Sequence, residues 1–70
     1  MERKRVSSST IESVGYADAN STLEIEFKNG GIYQYMSVPK AVYEKLMRAP
    51  SIGSFFSREI RDRYRTLKVR

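Results

Sequence analysis

The chain has 70 residues, enough for one small domain with one modest hydrophobic core. It contains neither cysteine nor histidine, which excludes disulfides, zinc sites built on these residues, thiol nucleophiles and imidazole bases. No apolar run approaches the roughly 20 residues that span a bilayer, and the first residues lack the apolar core of a signal peptide. We therefore expect a cytoplasmic protein that contacts no membrane.

The net charge of +5 is concentrated at the two ends of the chain. Residues 1–5 hold three basic residues and one acid, and residues 58–70 hold six basic residues and two acids. Residues 6–57 hold four basic residues against five acids, so the body is nearly neutral. A basic end on a neutral body indicates a surface that faces a polyanion.

The first five residues are predicted to form a mobile basic leader. Its run of Arg3, Lys4 and Arg5 fits a phosphate-seeking arm, although a solvated terminus is the more common meaning of such a run. A hydroxyl-rich stretch, residues 7–10, follows. Because no histidine is present to accept a proton, we interpret this stretch as the polar entry to a strand and not as a set of nucleophiles.

Residues 11–17 are rich in β-branched and aromatic side chains and are predicted to form the first strand. Val14 and Tyr16 share one face of that strand, and Ile11 falls on the other, so a local bulge is needed to bring all three inward. The polar cluster at 18–21 then predicts a turn and a first hairpin.

Apolar and charged residues alternate between positions 23 and 28, which is the pattern of a strand with one buried face. Asn29-Gly30 predicts that the chain reverses here, but two registers are open. A two-residue turn would place Tyr33 and Tyr35 with the glutamates. A three-residue loop with Gly30 left-handed in a bulge places both tyrosines on the apolar face, and we favour it because it separates polar from apolar residues better.

This register bears on function, because two exposed tyrosines spaced two apart on a sheet would form a base-stacking platform. We favour core packing for Tyr33 and Tyr35, since the opposite face carries carboxylates that repel phosphates. The same register leaves Ile32 and Met36 on the outer face.

Pro39 predicts a helix start, and the helix from Pro39 to about Ala49 presents a compact apolar stripe. Pro50 ends it, and Ser51 is a predicted N-cap for a short second helix. Ser57 then either caps a third helix or lies within a continuation. That segment would turn three apolar side chains inward: Ile60, Tyr64 and Leu67.

If the last helix continues to Lys68, four basic side chains share one of its faces. Such a face contacts successive phosphates, and the alternative is an ordinary solvated face on a frayed tail. The predicted nucleic-acid-binding residues are Arg58, Arg61, Arg65 and Lys68, joined by Arg3, Lys4 and Arg5 if the chain ends lie close together.

These elements predict an α+β fold, in which a three-stranded antiparallel β-meander is followed by two short helices, or three, packed on one sheet face. Residues 6–64 form the single domain of this prediction. Residues 65–70 form a basic tail or the end of the last helix.

The order of several motifs resembles the KTSC domain, named for the C-terminal domain of some lysyl-tRNA synthetases. The resemblance spans residues 6–64, and its most specific part is Tyr-x-Tyr followed by Val-Pro. The motifs that carry it are Ser8, Ile11, Gly15-Tyr16, Leu23 to Phe27, Gly30, Tyr33-Gln34-Tyr35, Val38-Pro39, Tyr43, Ala49-Pro50-Ser51-Ile52-Gly53, Phe56 and Ile60.

The KTSC family occurs as an appendage to synthetases and as small free-standing bacterial and phage proteins, and RNA binding is the function usually suggested for it. The resemblance implies roles for Tyr33, Tyr35, Val38, Pro39, Ser51 and Gly53 without deciding between packing and contact.

Our leading hypothesis is a non-catalytic module that binds nucleic acid, RNA rather than DNA, through the basic C-terminal face. No metal constellation, phosphate-binding glycine loop or paired acid and base points to an enzyme or to a cofactor. The alternative is a protein-interaction module whose partner takes an open sheet edge or the patch formed by Ile32 and Met36.

Overall fold

The computed structural model describes residues 1–70 and contains five strands and two helices. The strands lie in chain order in one fully antiparallel sheet, and both helices pack on one face of it. Neither helix combines the length and apolar character needed to cross a membrane. The elements are β1 (Arg3–Arg5), β2 (Ile11–Ala17), β3 (Thr22–Phe27), β4 (Ile32–Tyr35), α1 (Lys40–Arg48), α2 (Ile52–Glu59) and β5 (Thr66–Lys68).

The α+β class and the central meander β2-β3-β4 are confirmed, but the prediction of only three strands is wrong. The presumed mobile leader contains β1, which pairs with β2 along one edge of the sheet. The presumed helical tail contains β5, which pairs with β4 along the other edge. Each added strand has only three residues, too short for alternation to stand out in a sequence.

The predicted β3–β4 register is confirmed. Ile25 lies opposite Tyr33 and Leu23 opposite Tyr35. Gly30 has a φ of 96°, the left-handed conformation that glycine adopts most easily, and its N–H donates to the Phe27 carbonyl oxygen at 2.9 Å. The irregularity expected in the first strand also exists, as a register shift between Ile11 and Ser13.

The core lies between the sheet and the two helices. It consists of nine buried residues: Ile11, Val14, Leu23, Ile25, Tyr35, Val38, Leu46, Phe56 and Ile60. The apolar stripe of α1 meets the sheet through Leu46, which is fully buried. Ser51 caps α2 by accepting a hydrogen bond from the Ser54 N–H at 3.3 Å.

Helix α2 ends at Glu59, and the chain then turns through residues 60–63 before entering β5. The alternative in which a helix continues toward Lys68 is therefore wrong, as is the inward placement of Leu67, whose exposed fraction is 55%. Ile32 lies on the outer face of the sheet, as the register predicts, yet it is buried there, with only 5% of its surface exposed. Its carbonyl oxygen accepts hydrogen bonds from the N–H groups of Val69 and Arg70, so the chain beyond β5 covers it.

Candidate nucleic-acid interface

Tyr33 and Tyr35 have different surroundings although both point toward the helix side of the sheet. Tyr35 is 4% exposed, and its ring packs edge-to-face on Phe56 with centroids 5.4 Å apart. Burial raises the pKa of Tyr35 to about 12, with a further contribution from Tyr33, while the positive charge of Arg61 opposes the rise. Tyr35 is therefore a core residue, in line with the packing interpretation.

Tyr33 lies at the rim of the same face and is only half-buried. One side of its ring packs on Phe27, with centroids 5.7 Å apart and planes at 76°. Lys68 of β5 is its cross-strand neighbour. Part of the Tyr33 ring therefore stays accessible beside a cation. Proteins that bind single-stranded nucleic acid combine the same two features, an aromatic ring for the base and a positive charge for the phosphate.

Two grooves meet at Tyr33. The aromatic groove, of about 500 Å³, lies between the sheet and α2 and is lined by Phe27, Tyr33, Tyr35, Phe56 and Arg61 among others. The hairpin groove, of about 390 Å³, lies on the other side and is lined by Asn29, Gly30, Gly31, Tyr33, Lys68 and Arg70. Tyr33 is therefore reachable from both directions.

Gly31 keeps the hairpin groove open. A Cβ at this position would lie 3.2 Å from Cε1 of Tyr33, closer than most contacts of real side chains. A side chain here would press on the ring edge, so the glycine preserves access to Tyr33.

The cations around Tyr33 are mostly unpaired. Lys68 and Arg70 are exposed and form no ion pair with any carboxylate of the chain. Arg61 forms one with its neighbour Asp62, at 3.6 Å between exposed side chains, which is a weak interaction. The unpaired charge is free to attract phosphates.

The structure distributes the predicted C-terminal cations over several local environments, so the single helical face is wrong. Arg58 lies in α2, Arg61 in the turn after it, Arg65 just before β5 and Lys68 within β5. Only Arg61 and Lys68 of this set line the grooves at Tyr33. Arg58 lines neither of them and instead lines a third groove, between residues 7–10 and α2.

Arg70 joins the interface although the helical interpretation did not select it. Lys68 and Arg70 are spaced two apart, as are Leu67 and Val69 on the opposite parity. That alternation is typical of a strand and places Lys68 and Arg70 on the same face of it. It is weak because the strand it marks has only three residues.

The N-terminal cations lie at the opposite edge of the sheet from β5, so the two basic ends of the chain do not meet. Arg3 donates to Glu24 and, at 3.0 Å, to Ser13, and it lies 3.7 Å from Glu26. Arg5 donates to Glu12 at 2.7 Å. Among the three predicted residues of this arm, only Lys4 forms no ion pair.

Glu24 is the buried member of the β1-edge network, with 5% of its surface exposed. Burial by itself raises the pKa of Glu24, but hydrogen bonds from Gln34 and Arg3 outweigh this and hold the pKa below its usual 4.5. Gly15 makes room for the network, because a Cβ there would lie 2.9 Å from Cγ of Arg3 and 2.6 Å from the Glu2 carbonyl oxygen. The positive charge of the half-buried Arg3 is thus neutralised by carboxylates of the protein.

The other residues that the family resemblance singles out take part in packing and in helix starts within the fold. Val38 is fully buried, its carbonyl oxygen accepts a hydrogen bond from the Tyr16 hydroxyl at 2.6 Å, and Pro39 directly precedes α1. Gly53 lies against the hydroxyl-rich stretch, since a Cβ there would be 3.1 Å from Oγ1 of Thr10. The patch of Ile32 and Met36 is not open, because Ile32 is buried.

Comparisons with known proteins agree on the family. The sequence model of the KTSC domain matches residues 7–64. A crystal structure of a KTSC domain protein from Yersinia pestis is similar with a TM-score of 0.96 and 40% identity, covering 99% of this chain and 97% of that one.

Two further relatives differ in size. An uncharacterised protein of Stutzerimonas stutzeri is 34% identical over 64 residues, which make up 91% of this chain and 90% of that protein. A lysine-tRNA ligase of Nostoc punctiforme is 39% identical over 57 residues, which make up 81% of this chain but only 10% of the ligase. Together with the fold, these matches show that the chain belongs to the KTSC domain family.

Proposed function

We propose that this protein is a non-catalytic module that binds single-stranded nucleic acid, RNA in particular, at the grooves around Tyr33. The observation that carries the proposal is the position of Tyr33, half-exposed between two grooves that contain Arg61, Lys68 and Arg70. A base stacks on the accessible part of the ring, and the cations neutralise the phosphates on either side of it.

The comparisons support RNA over DNA by analogy. The chain is similar to a tenth of the length of lysine-tRNA ligases, enzymes whose name specifies an RNA substrate. A domain attached to such an enzyme is well placed to hold RNA. The activity of the whole ligase is not part of this proposal.

Single strands fit the site better than duplexes. The accessible ring belongs to a single half-buried tyrosine between two grooves, so a base must leave its stack to reach it. Contacts of this kind discriminate little between base types, because every base has a stacking face.

The proposal is tested by titrating fluorescently labelled single-stranded and duplex RNA of equal length at two salt concentrations. We expect the single strand to bind more tightly and its affinity to fall with salt. Replacing Arg61, Lys68 and Arg70 together with glutamine should lower the affinity for the single strand at least about tenfold at low salt, because three phosphate contacts are lost.

A matched control removes the same amount of charge elsewhere. Lys4, Lys40 and Lys45 are exposed and line neither groove at Tyr33. Their triple glutamine variant should keep most of the affinity. The proposal fails if the wild-type protein does not bind RNA at low salt, or if the two triple variants are weakened equally.

A second candidate function is protein binding at β5. Leu67 of this edge strand and Val69 just after it are 55% and 51% exposed, so two large apolar side chains lie open along one edge. A partner strand added along β5 would cover them. Such a complex would survive high salt, whereas the nucleic-acid complex would not, so the salt series distinguishes the two functions.

A further inference from the structure

A third groove, lined mainly by hydroxyl groups, lies between residues 7–10 and α2. It has a volume of about 1060 Å³ and is lined by 13 residues. Seven of these residues carry a hydroxyl group, two are positively charged and none is acidic. We call it the hydroxyl groove. Hydroxyl donors beside cations form a surface suited to oxyanions.

Several of the hydroxyl groups have a free proton. Ser8 accepts hydrogen bonds from the N–H groups of Thr10 and Ile11, both at 3.2 Å, but donates to no protein group. Ser54 accepts from the Ser51 hydroxyl at 3.0 Å, which leaves its own proton available. Ser57 makes no side-chain hydrogen bond within the protein. These groups can donate to a ligand that only accepts.

The two cations flank these hydroxyls. Lys28 forms no ion pair, and its backbone N–H donates to the Thr10 carbonyl oxygen at 2.9 Å, which fixes the hairpin against the groove. Nε of Arg58 donates to the Glu59 carboxylate at 3.3 Å, and the guanidinium lies over the ring of Phe55. The two terminal guanidinium nitrogens form no hydrogen bond within the protein. Both side chains can therefore reach an anion in the groove.

The hydroxyl groove is continuous with the aromatic groove, because Thr10 and Ser57 line both. A chain that enters one groove can therefore continue into the other. The order along this path is cations and hydroxyls first, then Tyr33, then Lys68 and Arg70. Such a path alternates charge with an aromatic ring, as in proteins that bind single strands.

We propose that the hydroxyl groove is a phosphate-binding site that holds internal phosphodiester groups of the strand whose base stacks on Tyr33. This inference rests on the proposed function for the identity of the strand. Phosphate binding itself depends only on the residues of the groove. Lys28 and Arg58 supply positive charge, and the serine hydroxyls donate hydrogen bonds to the phosphate oxygens. Little sequence preference is expected from contacts of this kind.

The first test does not involve RNA. Inorganic phosphate is titrated into the protein while backbone amide chemical shifts are recorded, with sodium chloride at matched ionic strength as reference. We expect phosphate-specific shifts concentrated in residues 7–10 and 51–57. A double variant, Lys28→Gln with Arg58→Gln, should lose them, and a control with Lys4→Gln and Lys40→Gln should retain them. Shifts that are absent, spread over the surface or unchanged in the first variant overturn the site.

The second test uses single-stranded RNA of two lengths. The double variant at Lys28 and Arg58 should weaken binding of an octanucleotide about tenfold while changing that of a trinucleotide less than about twofold, because the short strand occupies only the grooves at Tyr33. Equal weakening of both lengths, or of neither, contradicts the extended path. Failure of the wild-type protein to bind any RNA would overturn the proposed function, and the phosphate titration would still decide whether the groove binds oxyanions.

Discussion

The two edges of the sheet lie in the two basic ends of the chain and differ in their electrostatics. Both edges are three-residue strands, β1 with Arg3 and Arg5 and β5 with Lys68. At β1 the arginines are neutralised by carboxylates of neighbouring strands, whereas Lys68 has no such partner. The comparison shows that two basic segments can differ in the charge they leave available at the surface, because the fold pairs one set of charges and not the other.

The largest effect we expect comes from Gly15→Ala at the β1 edge. The new Cβ would meet the Glu2 backbone 2.6 Å away, so β1 must shift, at a cost of about 3 kcal/mol in unfolding free energy. Chemical denaturation of the variant and the wild type measures this loss of unfolding free energy. In a chain lacking residues 1–5 the same substitution should cost much less, because the clashing strand is gone. Equal losses in both chains would contradict this account.

Glu24→Gln should cost about 2 kcal/mol at neutral pH, because it removes the nearer and more buried of the two carboxylates that pair with the half-buried Arg3 guanidinium. Glu26→Gln is the matched control and should cost less, since Glu26 is more exposed and 3.7 Å from Arg3. Neither variant should change RNA affinity. A stability of Glu24→Gln equal to the wild type would show that the β1 network is dispensable.

The same carboxylate makes the stability depend on pH. Because the folded state holds the pKa of Glu24 below 4.5, the unfolded chain takes up the proton first as the pH falls. The stabilisation is present above pH 4.5 and is lost as the pH drops through the lowered value. Denaturation at several acidic pH values should show a steeper decline for the wild type than for Glu24→Gln, and parallel curves would contradict the assignment.

At the β5 edge, Tyr33→Leu should weaken single-stranded RNA binding by about 1 kcal/mol, at the lower end for a stacking aromatic because part of the ring is covered by Phe27. Leucine retains an apolar contact with Phe27 but cannot stack on a base. Tyr33→Phe retains the ring and should bind like the wild type. If phenylalanine weakens binding as much as leucine, the hydroxyl and not the ring is responsible.

The smallest effect is expected for Lys4→Gln combined with Arg5→Gln. These residues lie at the edge opposite Tyr33, so RNA affinity should change less than about twofold at moderate salt. RNA titrations of the variant and of the wild type under the same conditions measure this change in affinity. A loss comparable to that of the β5 triple variant would mean that the β1 edge also contacts the strand.

The central part of the fold is predictable because several local signals agree. Asn29-Gly30, the alternation before it and the segregation of the tyrosines all favour the register that the structure shows. The bulge near Ile11 follows from the parity of three apolar residues. The cap at Ser51 follows from the proline before it.

The edge strands were missed because their signals are short and ambiguous. The spacing of Ile60, Tyr64 and Leu67 fits a helix, and nothing local shows that α2 ends at Glu59. Reading the tail as a helix left β4 as an edge strand, so the prediction had no strand to cover Ile32 on the outer face. The predicted site therefore contained Arg61 and Lys68 but assigned them to the wrong element.

The neutralisation of Arg3 could not be predicted from sequence, because it depends on which strands pair across the sheet. Glu24 lies 21 residues away and reaches Arg3 across Gly15 of the intervening strand. Only the strand order places these three residues in one row. Charge counted along the chain is therefore a poor guide to charge available at the surface.

The most direct test of the central claim is chemical-shift mapping with a bound single-stranded RNA octanucleotide at low salt. We expect the largest amide shifts at Tyr33, Arg61 and residues 66–70, with little change in residues 3–5. Shifts confined to β1, or to the outer face of α1, would contradict the claim that the unpaired β5 edge is the binding surface.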